Sequence, residues 1–213
     1  MSILVIAEHD NASIVGATLH TVTAAQQIGG DIDLLIAGNG CSVAAQAAAQ
    51  ISGVNRVLLA DNISLEGLLA ENVANLVVSL AGNYSHVLTA ATTFGKNFMP
   101  RAAALLDVSQ ISEISEVISA DTFVRPVYAG NAMAKVQSSD RIKLITVRIT
   151  KFDAAAETGG SATIEAVDAV ADSGLSRFVG VSSSESERVE LTSAAIVISG
   201  GRGMQNGENF HML

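Results

Sequence analysis

Residues 3–37, ILVIAEHDNASIVGATLHTVTAAQQIGGDIDLLIA, decide the fold. The opening run ILVIA (3–7) is short, apolar and β-rich, and it ends at the polar turn Glu8-His9-Asp10-Asn11. A strand without polar alternation is what a parallel sheet covered on both faces requires. A helix is expected next. Val15, Leu19 and Val22 recur at helical spacing, Ser13 stands where a cap is needed, and Gly29-Gly30 supplies a left-handed stop. Residues 32–37 then return as a second apolar strand.

Outward from this stretch the alternation repeats. Residues 42–52 read as an Ala/Gln helix ended by Gly53, 56–60 as a strand, 65–80 as a helix, 86–91 as a fourth strand and 96–106 as a further helix. Strand–helix units in succession imply right-handed crossovers and helices on both faces of one sheet. The expected class is therefore α/β, doubly wound, with a mainly parallel sheet. After Asp107 the pattern changes to three extended stretches, 123–128, 132–137 and 143–150, joined by Gly130-Asn131 and Ser138-Ser139-Asp140. Those turns predict an antiparallel meander as an extension. In its third stretch Ile145, Val147 and Ile149 face one way and Leu144, Thr146 and Arg148 the other, which predicts one buried and one more polar side. Pro126 cannot donate to a ladder, so its stretch belongs at an edge or beside a bulge.

Residues 153–176 hold few large hydrophobics and many Ala, Gly, Ser and acidic residues, the composition of a surface excursion or linker. RFVGVS (177–182) reads as one more strand and SSSESE (182–187) as a solvated hinge. The predicted organisation is a scaffold domain over residues 1–187 and the start of a second α/β domain over 188–213. In that second part AAIVIS (194–199) is a fresh strand, Gly200-Gly201-Arg202-Gly203 a tight turn, and a helix begins at Glu208. These pieces cannot bury a core by themselves, so the second domain is expected to be incomplete.

Composition narrows the function. The chain has 213 residues, 15% of them charged, a formal net charge of −9 and 49% hydrophobic residues. Its 12 Lys and Arg residues are scattered, which excludes a nucleic-acid partner needing a basic stripe. The longest apolar runs, among them 102–106 and 194–198, fall far short of the roughly 20 residues of a membrane helix, so the protein is not expected to be membrane-embedded. With no basic preamble before Ile3, a cytoplasmic location is expected. Cys41 stands alone and reads as a small buried side chain.

Among candidate sites, SGGRG (199–203) at a strand's carboxyl end carries the most chemistry. Gly200, Gly201 and Gly203 let backbone N–H groups face an anion, a following helix adds its positive end, and Arg202 can clamp phosphate with a bidentate fork. Other phosphate motifs fail. Ala90 stands where a Walker loop before Gly95-Lys96 needs glycine, Asn97 follows the lysine, and Val43 stands where the third glycine of a dinucleotide fingerprint after Gly38 and Gly40 belongs. His9, His20, His86 and His211 have no metal-ligand spacing, and no nucleophile elbow surrounds Ser182–Ser184 or Ser186, so neither a metal nor a catalytic residue is assigned. His9, at the carboxyl end of the first strand, stands where open sheets bind ligands, yet a structural role suits it better. FVRPVYAG (123–130) places an arginine and a tyrosine before a glycine turn, which serves either an interface or a packed strand with Arg125 in an ion pair.

Taken together, ILVIAEHDN (3–11), FVRPVYAGNAMAKV (123–136) running on to IKLITVR (142–148), RFVGVSSSES (177–186) and AAIVISGGRGM (194–204) resemble the alpha subunit of the electron transfer flavoproteins. The resemblance implies a heterodimer with a beta subunit and one FAD, an electron carrier rather than an enzyme. It implies a shuttle, typically from acyl-CoA and related dehydrogenases of fatty-acid oxidation towards a quinone oxidoreductase. In that family the first domain is mostly scaffold, and the carboxyl-terminal domain carries most FAD contacts. Arg202, in the turn matching the family's GGRG, is thereby the implied FAD-binding residue. Family members continue beyond this point, so a chain of this extent alone is expected to hold FAD weakly. Two other readings stay open: a cofactor-free assembly domain docking on the beta subunit, and a bifurcating or nitrogen-fixation-linked carrier. A nucleotide-binding enzyme using the first sheet's switch point has no fingerprint behind it.

Overall fold

The computed structural model describes residues 1–182, 191, 194 and 196–212. They divide into two compact units, Met1–Phe178 and Val179–Leu213. The expected boundary at 187/188 lies outside the described residues.

The first unit is built on β1 (Ser2–Ile6), α1 (Gly16–Ile28), β2 (Asp31–Gly38), α2 (Ser42–Ala48), β3 (Arg56–Asp61), α3 (Ala70–Ala81), β4 (His86–Ala90) and α4 (Thr93–Leu106). Then follow β5 (Gln110–Ile114), β6 (Glu116–Val117), β7 (Thr122–Val127), β8 (Ala132–Gln137), β9 (Lys143–Val147) and β10 (Thr163–Ala166). Seven strands form one sheet in the order β10-β3-β2-β1-β4-β9-β5, with every pairing parallel. The remaining β6, β7 and β8 form a small antiparallel sheet. This is the expected α/β class, and the reason lies in the strand faces. Ile3 and Val5 join Ile32, Leu34 and Ile36 in the core beneath α1 and α2, while Leu4 and Ile6 join Leu35, Leu58 and Ala60 in the core beneath α3 and α4. Both faces of each central strand are buried, so the sequence shows no polar alternation there.

The meander is the main correction. β7 and β8 pair antiparallel as expected, but β9 leaves them and inserts between β4 and β5 in the parallel sheet. Leu144 then packs in one core, Ile145 and Val147 in the other, and Thr146 is fully buried instead of lining a polar side. Pro126 sits on β7, the middle strand of the small sheet. It is tolerated there because β6 reaches only Val124 and Phe123, leaving the ladder open on that side at Pro126. Residues 153–176 are more than a linker, since β10 extends the large sheet by pairing with β3 through backbone bonds while its side chains stay exposed. Ser13 does not cap α1. The N-cap is Val15, without a side-chain bond, and the Ser13 hydroxyl donates to Asp10 Oδ2 instead.

In the second unit, residues 179–182 carry no strand, nor do residues 194 and 196–199. Short 3-10 turns cover Arg202–Met204 and Gly207–Met212 in place of the expected helix. Among the described residues no helix is long and apolar enough to cross a membrane.

At the amino-terminal end of the large sheet, Asp33 accepts from Arg56 Nη2 at 2.6 Å and from the Tyr84 hydroxyl at 2.7 Å, while Arg56 Nη1 donates to Glu165 at 2.7 Å. The Asp33 carboxylate is nearly buried, whereas the Glu165 carboxylate is 54% exposed. Asp33→Ala strands the Tyr84 hydroxyl and should cost about 2 kcal/mol in denaturant unfolding. Glu165→Ala should stay within about 0.5 kcal/mol of the parent. Equal losses would contradict this partition.

Candidate functional site

Open α/β sheets take ligands where the strand order reverses, here outside the carboxyl ends of β1 and β4. The chain fills that crevice with its own groups. Glu8, just past β1, accepts a hydrogen bond on Oε2 from the Thr92 hydroxyl, the cap of α4, at 2.7 Å. The Glu8 N–H donates to Thr18 Oγ1 on α1 at 2.9 Å. At the neighbouring β2–β3 ends, Asp61 accepts from the Gly40 N–H at 2.6 Å and from the Cys41 N–H at 3.1 Å, occupying backbone donors of the loop after β2. A carboxylate at each of these positions repels an incoming phosphate, so a nucleotide at the switch point gains no support. Cys41 is buried, and burial together with the Asp61 charge pushes its thiol up to about 11, away from a reactive thiolate.

His9 is part of this closure rather than a ligand. Its Nε2 donates to Ala37 O at 3.1 Å and its Nδ1 accepts from the Asn11 N–H at 3.1 Å, a pattern that only the neutral ring satisfies. His86, at the start of β4, bonds through Nε2 to Ala120 O at 2.6 Å and through Nδ1 to Ser85 Oγ at 2.9 Å. His20 bonds Phe152 O at 2.6 Å. Among the described residues no group of three His, Cys, Asp or Glu side chains is placed to hold a metal.

Burial pushes both His9 and His86 below the ordinary value of 6.5, outweighing the opposing pull of their carbonyl partners. The unfolded chain therefore binds more protons than the folded one just below pH 6.5. Stability should be flat above that pH and should fall as the pH drops beneath it. Asp10, held down to about 2 by the Ser13 and Ala12 N–H groups, contributes only in a more acidic window. Urea midpoints at pH 7.5 and 5.5 test this, and His86→Asn should flatten the slope; a midpoint that rises on acidification would contradict it.

The glycine-arginine turn lies in the second unit, and Gly200, Gly201, Arg202 and Gly203 are all exposed. Met204 N–H donates to Gly201 O at 3.0 Å and Gln205 N–H to Arg202 O at 3.1 Å, which folds the turn back on itself. A Cβ on Gly200 would meet Met204 Cγ at 2.5 Å and Phe210 Cζ at 2.9 Å, so that glycine serves local packing. Gly201 and Gly203 border open space, and their lack of a side chain leaves the backbone approachable. Among the described residues no carboxylate lies within 4 Å of the Arg202 guanidinium. This donor set, an exposed fork beside two bare glycines, fits a phosphate oxygen pair. The helix expected from Glu208 is instead the six-residue 3-10 turn Gly207–Met212, and the turn at Arg202–Met204 is shorter still, so neither adds a helix dipole and that part of the expectation falls away.

Two constellations carried no signal in the sequence pattern. One is the Glu8–Thr92 closure. The other is Glu113, which meets Lys96 Nζ at 2.5 Å and Arg148 Nε at 4.0 Å. Arg125, expected in an ion pair, has no carboxylate within 4 Å among the described residues.

Comparison with known proteins follows the same lines. The family profile described as "Electron transfer flavoprotein domain" matches residues 3–172. The chain is 61% identical over 213 residues to the electron transfer flavoprotein subunit alpha of Pseudomonas aeruginosa, covering 100% of this chain and 69% of that one. It is 54% identical over 210 residues to the protein of the same name from Bradyrhizobium diazoefficiens, covering 99% and 67%. With the mitochondrial subunit alpha of Dictyostelium discoideum the identity is 46% over 227 residues, covering 99% and 64%. The chain thus spans about two thirds of the length of these relatives.

Proposed function

Because the chain belongs to the electron transfer flavoprotein family, we propose that it acts as the alpha subunit of a heterodimeric carrier, pairing with a beta subunit around one FAD. The carrier takes electrons from dehydrogenases such as those of acyl-CoA and passes them to a quinone oxidoreductase, and it works in the cytoplasm. The observation that carries this reading is identity with a bacterial alpha subunit sustained across the whole chain.

When bound, the flavin supplies the redox chemistry. The chain's own residues position it. Arg202 holds phosphate oxygens with its fork, and Gly201 and Gly203 let the backbone come close. No acid or base from this chain is required. The test is assembly: mixed with a beta subunit, the chain should elute with it as a one-to-one complex in size-exclusion chromatography, and separate elution at micromolar concentration would overturn the pairing.

A second reading is favoured by the closed switch-point crevice. With Glu8 on Thr92 at the switch point, and Asp61 on the Gly40 and Cys41 N–H groups at the adjacent β2–β3 ends, the carboxyl edge of the sheet carries carboxylates where a nucleotide would need donors. It serves as a cofactor-free assembly module. A complex that forms with the beta subunit but stays colourless after FAD addition would select this reading.

A further inference from the structure

The flavin reading makes no use of Arg125, nor of the irregular backbone around it. A cavity of about 310 Å³ opens between the two sheets of the first unit, lined by Glu113, Arg125 and Arg148 together with Ser112, Pro126, Ala129 and Gly130. Three local features create it. The β5–β9 register shifts between Ile111 and Ile114, and Glu113 inside that bulge takes φ 55° with its N–H on Thr146 Oγ1 at 2.9 Å. Arg148 leaves β9 with its N–H fixed to Ile114 O at 2.9 Å. Ala129 at φ 55° and Gly130 at φ 89° turn the chain sharply after β7 at the cavity's edge.

The charges at this cavity do not balance. Glu113 is the carboxylate in its lining, and that group is already held by Lys96 Nζ, with Arg148 Nε more distant at 4.0 Å. Arg125 has no carboxylate within 4 Å, and its buried Nε has no hydrogen-bond acceptor among the described residues. Asp140 lines the neighbouring cavity on the other flank of Arg125 without reaching it. In a chain of net charge −9, this is a local reversal of sign around an under-satisfied guanidinium. Two arginine forks reach the lining from separate segments, Arg125 on β7 and Arg148 just past β9. A planar carboxylate saturates one fork, whereas a tetrahedral phosphate has oxygens for both.

We propose that this cavity binds the phosphate group of a small phosphorylated molecule, with Arg125 and Arg148 as its clamp and Glu113 as the group that tunes its affinity. The probe is inorganic phosphate, titrated into the full chain by calorimetry at constant ionic strength against chloride. Saturable binding is expected, with one component carried by Arg125 and Arg148. Arg125→Gln and Arg148→Gln should each weaken it about tenfold or more. Glu113→Gln should tighten it several-fold, because it removes the competing negative charge. Arg202→Gln should leave that component in place, which separates this site from the proposed flavin contact. Should Arg125→Gln fail to fold, Arg125→Lys keeps the charge but not the fork, and it must still weaken binding. Phosphate indistinguishable from chloride, acetate binding as tightly as phosphate, weakening by Glu113→Gln, or loss of binding in Arg202→Gln would each overturn the proposal.

Discussion

Gly95→Ala should destabilise the chain by about 3 kcal/mol or more, enough to leave it largely unfolded if its total stability lies at the low end of the ordinary range. By helix propensity alone the change should help, since alanine is favoured over glycine in a helix by about 1 kcal/mol. Packing decides otherwise. A Cβ at Gly95 would stand 2.0 Å from Ala90 O and 2.7 Å from Thr89 Cγ2, so the first turn of α4 would have to lift off β4. The obstacle is strand backbone and a buried β-branched side chain, and neither has room to yield. Lifting α4 also disturbs Thr92, which caps this helix and closes the crevice at Glu8. Gly82→Ala is the matched control. It lies at φ −58° just past α3, and nothing stands within 4 Å of its added Cβ, so stability should hold or rise by a few tenths of a kcal/mol. Denaturant midpoints for the two variants give the comparison. A Gly95→Ala protein as stable as its parent would mean that α4 and β4 are not in the close contact described.

The second large effect concerns Arg202. In the complex with a beta subunit, Arg202→Ala should weaken FAD retention by roughly 10- to 100-fold, the range for losing a hydrogen-bonded charge partner. Arg202→Lys should recover only part of that loss, because a point charge replaces a planar fork. The variant should fold and pair with the beta subunit normally, since the side chain is exposed and meets no carboxylate among the described residues. Unchanged flavin retention and an unchanged flavin potential would remove Arg202 from the site.

The parallel half of the first unit was legible because its strands are buried on both faces, so uninterrupted runs such as ILVIA carried the class without ambiguity. β9 was misplaced for a specific reason. Thr146 looked like a solvent-facing residue, yet it is buried because its hydroxyl accepts the Glu113 N–H inside the bulge. A polar letter there marks a local backbone need, which no periodicity records. β10 escaped notice for the opposite reason. Its side chains are exposed, and it holds to β3 through backbone bonds and the Glu165–Arg56 contact. The Arg202 turn stood out because glycines and an arginine adjacent in sequence suffice to suggest phosphate. The Glu8–Thr92 closure was not, because its partners lie 84 residues apart and meet only once β1 and β4 are side by side.

The most direct test of the account is the flavin absorbance of this chain, measured alone and after mixing with a beta subunit and FAD, with unbound flavin removed by gel filtration. The account predicts little retained flavin on the chain alone and a yellow complex with the beta subunit, its colour diminished in Arg202→Ala. A complex that elutes colourless would contradict the claim that this chain helps to hold FAD, and so would a yellow complex indifferent to Arg202→Ala.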